Sequence, residues 1–185
     1  MKYEAVVIGT SAGGLYVLTD LLSALPPTFQ LPVIVVQHRS KEERTLLEEV
    51  LSQKCRIRIK QADEKEPIRK GTVYFAPPDY HLLIEQDHTF SLSSDERVNY
   101  SRPSIDVLFE TAAYAYRQHL LAIILTGANH DGAAGIATIR KYGGTTVAQS
   151  PENALYPAMP NAAINTGCIQ KVLDTEEIKQ YLVSL

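Results

Sequence analysis

The sequence predicts an α/β fold: a doubly wound, mostly parallel sheet with helices on both faces and an added antiparallel hairpin at about residues 72–92. Three observations carry this. Short unbroken apolar runs, "AVVIG" (5–9), "LPVIVVQH" (31–38) and "LLAIILTG" (120–127), have the composition of strands buried on both faces. Segments with helical apolar spacing separate the strand-like runs, so parallel neighbours are joined by crossovers. Glycine and proline punctuate the boundaries.

Each element follows in order. "AVVIG" ends in glycine and reads as a first strand. "GLYVLTDLLSAL" (14–25) places Leu15, Leu18, Leu22 and Leu25 on one helical face, and Pro26 and Pro27 stop it. "LPVIVVQH" is the second strand. "KEERTLLEEVLSQ" (41–53) is amphipathic, with Leu46, Leu47, Val50 and Leu51 on its apolar side. "CRIRIKQA" (55–62) alternates and reads as a third strand. "GTVYFAPPDYHLLIEQDHTFSLSS" (71–94) holds three short alternating runs, two of them separated only by Gln86-Asp87, which predicts the hairpin. "SSDERVNYSR" (93–102) is polar and reads as loop. Pro103 suits the first turn of a helix that carries Ile105, Leu108, Phe109, Ala112 and Tyr116 at helical spacing. "LLAIILTG" is the most apolar strand. "DGAAGIATIRKYG" (131–143) is a helix ended by Gly143. "TTVAQ" (145–149) is a strand. "SPENALYPAMPNAAINTG" (150–167) is irregular and then a short helix, and "IQKVLD" (169–174) is a last strand. A final helix starts with Asp174 as cap and Glu177 three residues on. No repeat or linker divides residues 1–185, so one domain is expected.

Composition narrows the function classes. The chain has 185 residues, 45% of them hydrophobic, which suits one globular core. No apolar run reaches the roughly 18 to 20 residues of a membrane helix, and no signal-peptide pattern opens the chain. Membrane insertion is not expected, and the expected location is cytoplasmic. A net charge of −3 without a basic block argues against nucleic acid as a partner. Cys55 and Cys168 are far apart, form no CxxC pair and have no histidine at metal-ligand spacing. They read as free thiols, and neither a metal nor a cofactor is expected.

In an open α/β sheet, ligands bind beyond the carboxyl ends of the strands. Three polar residues stand there: Ser11 after "AVVIG", His38 after "PVIVVQ" and Asp131 shortly after "AIILTG". They are a nucleophile, a base and an orienting acid. A serine hydroxyl needs a base to take its proton during attack. A histidine can do so near neutral pH, and a carboxylate on its other nitrogen fixes the tautomer. The developing oxyanion needs preorganised N–H donors. The turn "TSAGG" offers those of Ala12 and Gly13 at a helix start. "GANHDG" (127–132) offers a second set, with Ala128 and Asn129 in it.

Each residue also has a plainer reading. "GTSAGG" is an ordinary strand-to-helix turn, His38 an incidental polar residue, and Asp131 a cap for the helix that follows it. His130 is the rival base, although neighbours in a turn rarely aim at each other's side chains. His81, His88 and His119 read as structural. A phosphate cradle fits less well. The glycines fall at 9, 13 and 14, whereas GxGxxG needs one at position 11, and the P-loop lysine is missing.

The motifs "VVIGTSAGGL", "IVVQH", "RPSIDVLFETAA", "LTGANHDGAAG" and "YPAMPNAAINTG" resemble, in that order, the catalytic domain of the chemotaxis protein-glutamate methylesterases, CheB. "YFAPPDYHLLIE" resembles that family's hairpin segment, so the resemblance covers nearly the whole chain. It implies that Ser11 is the nucleophile, His38 the base and Asp131 the acid. It implies hydrolysis of γ-glutamyl methyl esters on methyl-accepting chemotaxis receptors, with release of methanol. Some members also deamidate receptor glutamines. Three positions depart from the pattern. Family members often have threonine where Ala12 stands and methionine where Ala128 stands, and His130 replaces the usual asparagine. A backbone N–H survives such changes; a hydroxyl at position 12 does not. The best-known members carry a phospho-receiver domain ahead of this one, whereas here Met1 leads straight into the first strand. The expectation is an excised domain or a stand-alone esterase, with regulation supplied by a separate protein or absent. The alternatives are a catalytically silent module that keeps the fold for sensing or interaction, and an esterase acting on another protein ester.

Overall fold

The computed structural model describes residues 2–39 and 47–185. Its frame is a seven-stranded parallel sheet in the order β3-β4-β2-β1-β7-β8-β9. The strands are β1 (Ala5–Thr10), β2 (Val33–Gln37), β3 (Arg58–Gln61), β4 (Thr72–Phe75), β7 (Leu120–Ile124), β8 (Thr145–Gln149) and β9 (Lys171–Leu173). A separate two-stranded antiparallel sheet is formed by β5 (His81–Ile84) and β6 (Phe90–Ser93). The helices are α1 (Gly14–Ser23), α2 (Leu47–Lys54), α3 (Ile105–Tyr116), α4 (Ala133–Lys141), α5 (Ala158–Asn165) and α6 (Thr175–Val183).

Alternation along the central strands builds two cores. On β1, Ala5 and Val7 face one side and Val6 and Ile8 the other, and all four are fully buried. The first side packs against Leu108 and Phe109 of α3, Ile136 of α4, and Phe90 of the hairpin. The second packs against Leu18 and Leu22 of α1, Leu51 of α2, and Ile178 and Leu182 of α6. Burial on both faces explains why these strands read as unbroken apolar runs.

Several elements differ in detail from their sequence patterns. In α1 the buried positions are Gly14, Val17, Leu18, Leu21 and Leu22, while Leu15 is 45% exposed. The helix presents a stripe rotated towards Val17 and Leu21. In α2, Leu47 and Leu51 are buried, but Val50 is exposed. Leu46 lies outside the described residues, as does the start of the predicted helix. Thr72–Phe75 joins the parallel sheet between β3 and β2, so the hairpin proper is His81–Ser93. Its strands pair with each other, and it docks on α3 through Ile84 N–H to Thr111 Oγ1 (3.2 Å) and on β4 through an edge contact of Phe90 with Tyr74. Pro103 precedes α3 rather than opening it: Ser104 is the cap, its hydroxyl accepting from Val107 N–H. The α6 capping box is complete, Asp174 and Glu177 each accepting from the other's N–H.

Helices α3 and α4 meet closely at Gly135, where an added Cβ would overlap Phe109 Cβ and approach the Asp106 backbone. The Gly135 N–H also donates to Asp106 Oδ1 at 2.7 Å. Gly135→Ala is therefore expected to cost about 1–3 kcal/mol by overpacking. Thermal unfolding should show a fall of roughly 2–4 °C per kcal/mol. An unchanged melting temperature would mean that the two helices separate without loss.

Candidate active site

The backbone brings the three strand-end residues together before any side chain acts. Thr10 of β1 is in register with Gln37 of β2, and His38 N–H donates to Thr10 O at 3.0 Å. On the other side, Ser11 N–H donates to Thr126 O at 3.0 Å, just beyond the end of β7. Ser11, His38 and the segment leading to Asp131 therefore leave three adjacent strands at their carboxyl ends. The chain winds from β1 outwards to β2 and later returns to β7 on the opposite side of β1. That reversal opens a crevice, which is where ligands bind in such sheets.

Ser11 stands in a turn whose carbonyls are tied down. Its own carbonyl accepts from Gly14 N–H (2.9 Å) and Gln37 Nε2 (3.0 Å). The Ala12 carbonyl accepts from Thr126 Oγ1 at 3.0 Å. Gly13 caps α1 with φ of 77°, a left-handed conformation that a side chain would strain. The N–H groups of Ala12 and Gly13 find no acceptor among the described residues. They are donors at a helix start, free for a ligand oxygen. Ser11 is half-buried, and its Oγ makes no hydrogen bond among the described residues.

Asp131 is fully buried and does not cap the helix that follows it; Gly132 takes that place, without a side-chain bond. Its carboxylate instead reaches the start of α3. Oδ2 accepts from Ile105 N–H (2.7 Å) and His38 Nε2 (2.8 Å). Oδ1 accepts from Ser104 Oγ (2.9 Å), Asp106 N–H (3.1 Å) and Asn99 Nδ2 (3.1 Å). Burial alone would raise this carboxyl, but the bonds from His38, Ile105 and Asn99 outweigh it and hold the pKa at about 2. An ionised Asp131 fixes the proton of His38 on Nε2, which leaves Nδ1 with the lone pair. Asn129 Nδ2 lies 3.3 Å from that nitrogen, and Asn129 Oδ1 accepts from Asp131 N–H at 3.1 Å.

Sequence reasoning missed the shell around the acid. Asn99 Nδ2 bridges Asp131 Oδ1 and Asp106 Oδ2, the latter at 2.8 Å. Asp106 is pushed up to about 6, first by burial and then by the Asp131 charge, against bonds from Gly135 N–H and Asn99. His81 accepts from Ser104 N–H at Nδ1 (3.2 Å), and its Nε2 meets Glu96 O at 2.9 Å. Arg102 donates to Ser94 O and Asp95 O and pairs with Asp79, strapping the same loop. One local signal existed: Ser104 ahead of the apolar-periodic Ile105 is a cap pattern. Asn99 had none, because Asp131 lies across the fold and Asp106 comes within reach only through the path of the loop between them.

Other candidates do not gather. His130 is exposed, and among the described residues its ring bonds neither Ser11 nor Asp131. His88 stacks on Tyr116, and His119 meets Lys2 O. Ala128 is exposed in the loop after β7. Cys55 and Cys168 are free thiols. Among the described residues, no three His, Cys, Asp or Glu side chains are placed to hold a metal ion. A hydroxyl on a hydrogen-bonded turn, a carboxylate-oriented imidazole at the next strand end and the unpaired N–H groups of residues 12 and 13 are the kinds of group that acyl transfer uses.

The raised Asp106 has a signature in stability. Its folded pKa of about 6 exceeds the ordinary 3.8, so its contribution is fully present below about pH 4 and lost as pH rises through about 6. In urea titrations, the stability of wild type minus that of Asp106→Asn is expected to decline between those values and to level off above them. A difference that stays flat over that interval would show that the carboxyl is not shifted.

Comparisons with known proteins point in one direction. Residues 6–182 match the model of the CheB methylesterase family. A Leptospira interrogans protein, named provisionally as a protein-glutamate methylesterase/protein-glutamine glutaminase, is 49% identical over 185 residues, covering 100% of this chain and 96% of its own length. The protein-glutamate methylesterase/protein-glutamine glutaminase of Trichodesmium erythraeum is 31% identical over 99% of this chain, which spans 53% of that relative. The crystal structure of the Thermotoga maritima CheB methylesterase catalytic domain superposes with a TM-score of 0.94 at 32% identity, covering 100% of this chain and 99% of that one. With a sheet order, a strand-end site and a family match over almost its full length, the chain belongs to the CheB methylesterase family.

Proposed function

We propose that this protein hydrolyses glutamyl methyl esters on chemotaxis receptors, with Ser11 as nucleophile, His38 as general base and Asp131 as the acid that orients it. The observation that carries the proposal is the 2.8 Å contact between His38 Nε2 and an ionised, fully buried Asp131, one strand away from Ser11. Ser11 Oγ attacks the ester carbonyl carbon while its proton passes to His38 Nδ1. In this reading the unpaired N–H groups of Ala12 and Gly13 receive the oxyanion, a role that needs no hydroxyl at position 12. His38 then gives the proton to the departing methoxy oxygen, and methanol leaves an acyl-serine. Water attacks the acyl carbon, again losing a proton to His38. The glutamate side chain and Ser11 are restored. With a glutamine substrate, the same steps release ammonia.

The surroundings support a protein substrate. Leu155 lies against Gly13, Tyr16 is in the first turn of α1, and Tyr100 follows Asn99; all three side chains are exposed. Exposed apolar side chains close in sequence or space to the site residues are in keeping with a protein substrate. Among the described residues, no helix is long and apolar enough to cross a membrane. The proposed setting is the cytoplasm, where the receptor's methylated helices are reached from solution.

Purified protein incubated with a methylated receptor fragment is expected to release methanol, and Ser11→Ala to release none above background. Equal release by both proteins would remove Ser11 from the chemistry. Asp131→Asn is expected to lower kcat by about 10³–10⁴-fold, since an amide no longer enforces the tautomer that leaves Nδ1 free. Steady-state kinetics on the same fragment measure this, and a kcat within tenfold of wild type would show that the His38–Asp131 contact is not what activates Ser11.

A further inference from the structure

We propose that Asn129 is a positioning residue that latches the base nitrogen of His38 and must let go before Ser11 can use it. The proposal rests on the reading of Ser11 as nucleophile and His38 as base. With the Nε2 proton committed to Asp131, Nδ1 offers one in-plane lone pair, which takes one good donor. In this structure the donor is Asn129 Nδ2 at 3.3 Å, while Ser11 Oγ bonds nothing among the described residues. The two groups therefore compete for a single acceptor.

The latch is built to open. Its contact to His38 is long for a hydrogen bond, whereas the other end of the same amide holds Asp131 N–H at 3.1 Å. A rotation of the amide takes Nδ2 off the ring while Oδ1 keeps its bond. Asn129 is half-buried, and its chain neighbours Ala128 and His130 are exposed. Among the described residues, the charged groups around the ring are Asp131 on Nε2, Asp106 one amide behind it, and Arg39 next in the chain, itself paired with Glu48. A change at position 129 removes none of them.

The test uses acylation-type labelling by a small fluorophosphonate, in which Ser11 Oγ bonds phosphorus, fluoride leaves and the hydroxyl proton passes to His38. Asn129→Ala removes the competing donor and is expected to raise the second-order labelling rate about 3- to 10-fold, the worth of one neutral hydrogen bond. The acid limb of its pH–rate profile should move to higher pH, because a donor that favoured the unprotonated ring is gone. Asn129→Asp keeps an acceptor for Asp131 N–H but offers the ring a carboxylate. It is expected to label more slowly at pH 7, with the acid limb displaced upwards by about one unit or more. This second variant carries the test if Asn129→Ala fails to fold, which a thermal melt reports. A wild type that resists the probe overturns both the nucleophile reading and the latch. A wild type labelled at Ser11, with Asn129→Ala no faster or the Asn129→Asp acid limb unmoved, overturns the latch alone.

Discussion

A buried carboxylate organises this end of the molecule. Asp131 has no exposure to water and yet stays ionised, and that combination is tolerable only because donors surround it. They come from three separate places in the chain: the end of β2 through His38, the loop at Asn99, and the first residues of α3. Removing any one group leaves a buried charge with fewer donors in a place water does not reach. The position of α3 relative to the sheet, the path of the loop before it and the orientation of the imidazole are thus parts of one electrostatic requirement.

The close approach of α3 and α4 serves the same requirement. Gly135 lets α4 come near enough for its N–H to bond Asp106, and Asp106 in turn shares the Asn99 amide with Asp131. Two carboxyl groups so near each other do not ionise equally readily: Asp131 is held low and Asp106 pushed up to about 6. Their difference follows from the donors each receives. The Gly135 bond itself favours the ionised form of Asp106, and burial together with the Asp131 charge outweighs it.

Much of this was legible along the chain. The strands were legible because burial on both faces makes them unbroken apolar runs, and the strand ends pointed to Ser11, His38 and Asp131 without any contact being known. Helix faces were less so: leucine at position 15 fits the helical spacing as well as Val17 or Leu21, and only the tilt of α1 against the sheet leaves it in solvent. Along the sequence Thr72–Phe75 reads as part of the hairpin, because its partners, β2 and β3, lie earlier in the chain and leave no local mark. Asn99 is the extreme case. A single asparagine in a polar stretch looks like any loop residue until the fold brings two carboxylates to it.

The turn that carries Ser11 has a further meaning. Side chains from the two neighbouring strand ends, Gln37 and Thr126, hold its carbonyls, so the backbone that carries the hydroxyl is fixed to the sheet as a tooth is to a jaw. Residues 128–130, beyond the neighbouring strand β7, lie in a loop whose outer members stand in solvent. A molecule that reaches Ser11 therefore meets a backbone anchored to the sheet, with the exposed side chains of residues 128 and 130 at the neighbouring strand end.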